Sequence, residues 1–245
     1  MTVASLTALL PLAQGQHEDF LQERTGQGCV QENGFFCAQW AADNLDRYTT
    51  PTLEHLLLVV VSVVAGFAIA LGLALLSHRR RWLVPPITGF TGVLYTIPSL
   101  AFIFILLSIT GFGFETAVIV LTAYTLQIIY RNIVVGLANV PGASRDAGRG
   151  MGMTDRQLLW RVELPLAVPE IVAGLRIATV STVALATFAF FAGAGGLGSP
   201  LYADINFKTN VIMAGGIAIL MAIAFDALLV LIGRLVSPWR RVRAI

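Results

Sequence analysis

Five long runs of apolar residues, none with the strict alternation of a half-buried strand, divide the chain and predict five helices. The first runs from about Leu53 to Leu76 and the second from about Ile87 to Ile109. The third runs from about Glu115 to Val140, the fourth from about Pro169 to Ala192, and the fifth from about Val211 to Val236. A helix needs roughly 20 apolar residues to cross a hydrocarbon slab about 30 Å thick, and each run reaches that length. A β-barrel would instead show alternating segments of about 10 residues. With 245 residues, 56% hydrophobic and 12% charged, the chain has more apolar surface than one soluble core can hide, so the bilayer is its solvent. The fold class is all-α integral membrane, with an extracytoplasmic head over 1–52 and a transmembrane domain over 53–245.

Charge placement orients the spans, because Lys and Arg near span ends stay on the cytoplasmic side. Arg79, Arg80 and Arg81 lie between spans one and two; Arg145, Arg149, Arg156 and Arg161 lie between spans three and four; Arg234, Arg240, Arg241 and Arg243 close the chain. All three clusters fall on one side of a five-span zigzag. The other side holds Glu18, Asp19, Glu23, Glu32, Asp43 and Asp46 against Arg24 and Arg47, and a loop with Asp204 and Lys208. The N-terminus is therefore expected outside and the C-terminus inside. Trp82 and Trp239, each beside an arginine cluster, suit the aromatic belt. A net charge of only +2 gives no support to nucleic acid as a partner.

Cys29 and Cys37 both fall in the outer head, where a bridge is chemically allowed; two free thiols are the alternative. Two cysteines and the scattered His17, His55 and His78 make no metal site. The apolar run Leu6 to Leu12 is too short to span, and a short helix lying on the outer surface is the preferred reading over a cleaved leader.

The segment between spans three and four, 142–166, carries the most information. Pro141 suits the start of a short helix, and Gly150 and Gly152 supply the backbone freedom to end it. Thr154 followed by Gln157 is a capping-box pattern that opens a second helix. Pro165 disfavours helical geometry at Leu164 and is expected to stop it. Met151, Met153, Leu158, Leu159 and Trp160 are available for burial in a knob that wants a groove.

Within that segment, Asp146-Ala147-Gly148, three residues, Gly152, nine residues, then Val162-x-Leu164-Pro165 resembles the signature loop of ABC importer permeases: Glu-Ala-Ala, three residues, Gly, nine residues, Ile-x-Leu-Pro. Asp replaces Glu, Val replaces Ile, and Gly148 replaces the second Ala, which should loosen the first helix by about 1 kcal/mol. The resemblance narrows to permeases of osmoprotectants (glycine betaine, carnitine, choline) through Thr96-Ile-Pro-Ser-Leu-Ala101, Tyr130-Arg-Asn132, Gly150-Met-Gly-Met-Thr154, Val162-Glu-Leu-Pro-Leu-Ala167 and Gly193-Ala-Gly-Gly-Leu-Gly198.

The resemblance implies the type I ABC importer permease fold in a bacterial cytoplasmic membrane. It also implies a loop, from Asp146 through Met153, Thr154, Leu158 and Trp160 to Pro165, that docks on a cytoplasmic ATPase dimer. Further implied partners are an extracytoplasmic solute-binding protein and a second permease copy or paralogue, all within membrane lipid. ATP and Mg would be bound by the ATPase and no cofactor by this chain. The only lysine, Lys208, follows Phe207 and belongs to no P-loop, so the motor is expected on another polypeptide.

Gly193-x-Gly195-x-x-Gly198 matches the dinucleotide fingerprint literally, but that fingerprint has meaning only between a strand and a helix. Here Gly195 and Gly196 are read as a tight exit from span four near the translocation path. Arg131, Arg176 and Asp226 lie inside spans, where ionisable groups are costly and face a partner or a cavity. By helix rise they share a depth of roughly 13–16 Å from the cytoplasmic end. They form either a polar lining of the pathway or an ion pair that holds spans three, four and five. Pro98 should kink span two, with Ser99 placed to satisfy a freed carbonyl. Ala68 and Gly72 are read as a packing face. Rival functions are a permease of the same architecture for methionine or an inorganic anion, an intramembrane enzyme, and a stand-alone secondary transporter. The enzyme lacks convergent nucleophiles or ligands, and the transporter lacks inverted repeats.

Overall fold

The computed structural model describes residues 28–237. The Leu6–Leu12 run, His17, Glu18, Asp19, Glu23, Arg24, Trp239, Arg240, Arg241 and Arg243 lie outside them.

The described chain is helical. Short helices α1 (Gly28–Gln31) and α2 (Ala38–Asp43) and a tight turn, Leu45–Tyr48, lead into α3 (Thr49–Arg79). α4 (Val84–Thr96) and α5 (Ser99–Thr110) follow, then α6 (Phe114–Ala138). The loop helices are α7 (Gly142–Gly150) and α8 (Asp155–Leu158); α9 (Leu164–Ala186), α10 (Gly198–Ala203) and α11 (Lys208–Val236) complete the chain. Four continuous helices are long and apolar enough to cross a membrane, and five segments are if the bent pair α4–α5 counts as one span.

That pair departs from the expected kink: α4 and α5 meet at 97°. Pro98 has no N–H, and Ile97 before it is extended, so the ladder is broken rather than bent. The carbonyl of Ile97 is satisfied by the Tyr124 hydroxyl of α6, a role expected of Ser99. A freed carbonyl in a bilayer has no water to turn to, so a neighbouring helix must supply the donor.

The core is the three-helix contact of α3, α6 and α9. At one end Leu58, Val59, Val120, Leu121, Val183 and Ala186 are buried together; at the other, Ala70, Ala74, Ile129, Tyr130, Ile133 and Ala178. Without a hydrophobic drive between helices in lipid, close backbone approach at small residues does the work. A Cβ at Gly66 would lie 1.9 Å from the Thr125 Oγ1, and one at Gly174 would lie 2.4 Å from the Asn132 Cβ. The packing face of α3 is therefore Ser62, Gly66, Ala70 and Ala74. Ala68 and Gly72 point outward, which corrects the expectation: two rows of small residues at helical spacing exist, and only one faces α6. α11 leans on α9 and leaves Leu220, Ile223, Leu228, Leu231 and Leu235 exposed.

The described part of the head is clamped to the start of α11. Val30, Cys37, Trp40 and Phe207 form a small core, with Trp40 edge-on to Phe207 at 4.8 Å. Cys29 and Cys37 are joined by a disulfide. The Cys37 N–H donates to Thr209 Oγ1 at 2.9 Å, and the Tyr48 hydroxyl donates to Asn210 Oδ1 at 2.6 Å.

Candidate functional site

The loop 142–166 is built from local chemistry. Pro141 sits just before α7, which ends at Gly150. Gly152 then takes φ +77°, a left-handed turn open to glycine. Thr154 and Gln157 close a reciprocal cap: the Thr154 N–H donates to Gln157 Oε1 at 2.9 Å, and the Gln157 N–H donates to Thr154 Oγ1 at 3.3 Å. Gly148 is buried, and a Cβ there would lie 2.6 Å from Leu158 Cδ1. Its departure from alanine lets Leu158 seat against α7, a contact that offsets the lost helix propensity.

Leu158 and Leu159 are buried and Met153, Val162, Leu164 and Pro165 half-buried. Asp146, Ala147, Gly152 and Thr154 are exposed, as are Met151 at 70% and Trp160 at 55%. Two of the five apolar residues expected to be available for burial therefore present most of their surface outward.

Pro165 does not stop the second helix. Residues Leu159–Glu163 form a single wider turn in which the Leu164 N–H reaches back to the Leu159 carbonyl, and α9 begins immediately. Pro165 then occupies the first turn of the new register, where a missing N–H costs no bond, and the inserted turn absorbs the mismatch. The loop is thus continuous with the fourth span.

That wide turn aims Glu163 inward, where it is 5% exposed. Its carboxylate accepts from Arg145 Nε of α7 at 2.6 Å and pairs with His78 Nε2 at the end of α3 at 2.9 Å. Arg145 Nη2 also donates to the Leu137 carbonyl at 2.6 Å. One buried carboxylate thereby ties α7, α9, α3 and α6 together. Sequence reasoning missed it, although an acidic residue inside Leu-Leu-Trp-Arg-Val-Glu-Leu-Pro was a visible signal.

At the other end of α9 the chain leaves through a turn, Thr187–Ala192, into the glycine segment. Gly195 and Gly196 take φ +74° and +80°. The Gly196 N–H donates to Glu54 Oε2 at 2.8 Å, and the Leu197 N–H donates to His55 Nδ1 at 3.3 Å. His55, fully buried, has Nε2 at 3.0 Å from the Val183 carbonyl. Both contacts are met by the neutral ring with its proton on Nε2. The glycine segment therefore docks on the start of α3 and leads into α10, with no strand beside it among the described residues.

Of the three intramembrane charges the structure brings two together. Arg176 Nε and Nη2 donate to Asp226 Oδ1 and Oδ2 at 2.8 and 2.9 Å, a two-bond fork between α9 and α11. Arg131 is exposed and makes no ion pair among the described residues. Among those residues no three metal-ligating side chains converge.

A family model described as binding-protein-dependent transport system inner membrane component matches residues 56–242. The glycine betaine/carnitine/choline transport system permease protein OpuCB of Bacillus subtilis is 33% identical over 76% of this chain and 87% of its own. The osmoprotectant import permease protein OsmW of Salmonella typhimurium is 37% identical over 76% of this chain and 90% of its own. Among solved structures, the MetNI methionine ABC transporter, inward facing, superposes with a TM-score of 0.65 at 23% identity, covering 78% of this chain and 95% of that one.

Proposed function

Since the chain belongs to the family of binding-protein-dependent transport system inner membrane components, we propose that it is the permease through which an ATP-driven importer passes osmoprotectants such as glycine betaine, carnitine or choline. A binding protein delivers the solute to the head side. Two cytoplasmic ATPase subunits grip the 142–166 loops of two permease copies or paralogues. The spans alternate between outward-open and inward-open shapes as the ATPases close and open.

The solute class is carried by one observation: the relatives described above are named for these solutes. The docking role is supported by the exposed face of the loop, where Met151 and Trp160 leave most of their surface uncovered. Exposed Trp and Met are over-represented where one protein grips another.

The reading is tested by uptake of labelled glycine betaine, carnitine and choline in cells whose other uptake routes are deleted, together with recovery of the ATPase on the purified chain. Trp160→Ala should weaken ATPase capture by at least about tenfold, as truncation of an aromatic anchor does, and lower uptake of all three solutes alike. Uptake of none of them by the wild-type importer sinks the solute class. Undiminished ATPase capture by the variant sinks the docking face.

A further inference from the structure

The arginine-bearing end of the bundle holds two cavities that share a wall. One, of about 460 Å³, lies where the ends of α3 and α6 meet the start of α4; its lining is mainly apolar, including Ala74, Val84, Pro85, Val134, Leu137 and Ala138. The other, of about 420 Å³, lies between the end of α3 and the 142–166 loop. His78, Arg81 and Arg145 belong to both. Each volume is in the range that holds a small-molecule ligand.

The second cavity is cationic beyond its own needs. Arg145 and His78 are taken up by Glu163. Arg79, Arg81, Arg149 and Arg156 also line it and make no ion pair among the described residues, while Asp155 is the one further acid on its wall. Four guanidiniums against one carboxylate leave a surplus of three positive charges, on the side chain that best grips a phosphate. An apolar cleft at the level of span ends that opens into a basic cavity has the shape and polarity of an amphiphile. A soluble anion would need only the second half.

We propose that the two cavities together bind an anionic phospholipid. The phosphate sits among Arg79, Arg81, Arg149 and Arg156, and the glycerol and upper acyl chain lie along Ala138, Val134 and Val84. Basic pockets between spans at the membrane surface are suited to such headgroups. The bound lipid bridges the end of α3 to the 142–166 loop beside the Glu163 joint, so bilayer composition acts on the loop. The proposal needs only a chain embedded in a bilayer and does not depend on the solute.

The full chain in detergent is titrated with phosphatidylglycerol, with phosphatidylcholine of the same acyl chains, and with inorganic phosphate, and bound ligand is counted by native mass spectrometry. Phosphatidylglycerol should be retained in preference to phosphatidylcholine. Arg81→Gln and Arg149→Gln should each weaken it about fivefold, and Arg80→Gln, which removes the same charge outside both cavities, by less than twofold. Ala138→Phe should weaken it although every guanidinium remains. All four positions are exposed, and the melting temperature of each variant, read in the same samples, confirms that it is folded. Equal retention of the two lipids, equal loss in Arg80→Gln and Arg81→Gln, or an Ala138→Phe variant that binds normally would overturn the proposal. Inorganic phosphate binding wild type and Ala138→Phe alike, with no retained lipid, would assign the basic cavity to a free anion and overturn it as well.

Discussion

Replacing Gly195 with alanine should destabilise the protein by an amount the geometry supplies. Gly195 sits at φ +74°, where an L side chain costs about 1–2 kcal/mol. The new Cβ would lie 2.1 Å from Glu54 Oε2, so the carboxylate must swing away from the Gly196 N–H that it accepts at 2.8 Å. A hydrogen bond to a charged group is worth about 1.5–3 kcal/mol. The two terms together give about 2.5–5 kcal/mol. Gly216→Ala is the control: it lies inside α11 with open space around it, and there alanine should stabilise by about 1 kcal/mol. Unfolding in mixed micelles, followed by tryptophan fluorescence, reads both. Glu54→Ala provides a double-mutant cycle, because Gly195→Ala should cost about 1.5 kcal/mol less once the carboxylate is gone. A cost below about 1 kcal/mol for Gly195→Ala, or strict additivity with Glu54→Ala, would refute the reasoning.

Three further outcomes are expected. Glu163→Gln leaves Arg145 without its buried partner and should cost about 3 kcal/mol of stability, measured in the same micelles; loss of well under half that means the joint bears no load. Arg176→Asp and Asp226→Arg should each impair assembly singly, while the combined swap restores it, since the fork joins α9 to α11 across opposite charges; size-exclusion profiles decide, and a swap as defective as the singles removes the pairing. Opening the Cys29–Cys37 bridge, which closes residues eight apart in sequence, should loosen the head by about 2.5 kcal/mol on loop-closure entropy. Limited proteolysis near Phe36 should then speed up on reduction, and unchanged cleavage would show that the contacts to Phe207, Thr209 and Asn210 hold the head without the bridge.

What the sequence discloses is what depends on near neighbours. The Thr154–Gln157 cap, the glycine break at 150–152 and the helix start after Pro141 are each set within about four residues, and each is found where the pattern puts it. The partners of the glycine turn are not legible. Glu54 and His55 stand 142 residues from Gly196 and Leu197, and nothing in either segment names the other. The face of α3 fails for a different reason: Gly66 with Ala70 and Ala68 with Gly72 have the same spacing, and only the position of Thr125 on another helix chooses between them. Pro98 shows that a ladder must break but not by what angle. Pro165 misleads because a break at proline is a rule for regular α-helix, and the single wide turn at Leu159–Glu163 removes its premise.

That wide turn joins the loop to the body of the bundle. Because α8 runs through it into α9, the exposed face of Trp160 is joined to the fourth span without a break, whereas Met151 stands before the Gly152 turn. α9 is in turn tied to α3 at both ends, through Glu163 and His78 at the arginine-bearing end and through Gly196 and Glu54 at the other. Close contacts at Gly174 and Gly66 bind α6 into the same body. The remaining segments are held more loosely. α4 and α5 meet at a right-angled break capped by the Tyr124 hydroxyl. α11 leaves most of its apolar face uncovered and is pinned to α9 by the Arg176–Asp226 fork and to the head at its start. In the proposed importer, a stroke on the loop would reach α3, α6 and α9 as one packed unit, against which α5 and α11 are more loosely held. If Glu163→Gln preserved the fold but left ATPase turnover running without uptake, the loss would lie in this linkage, since the variant changes neither the docking face nor the break at Pro98.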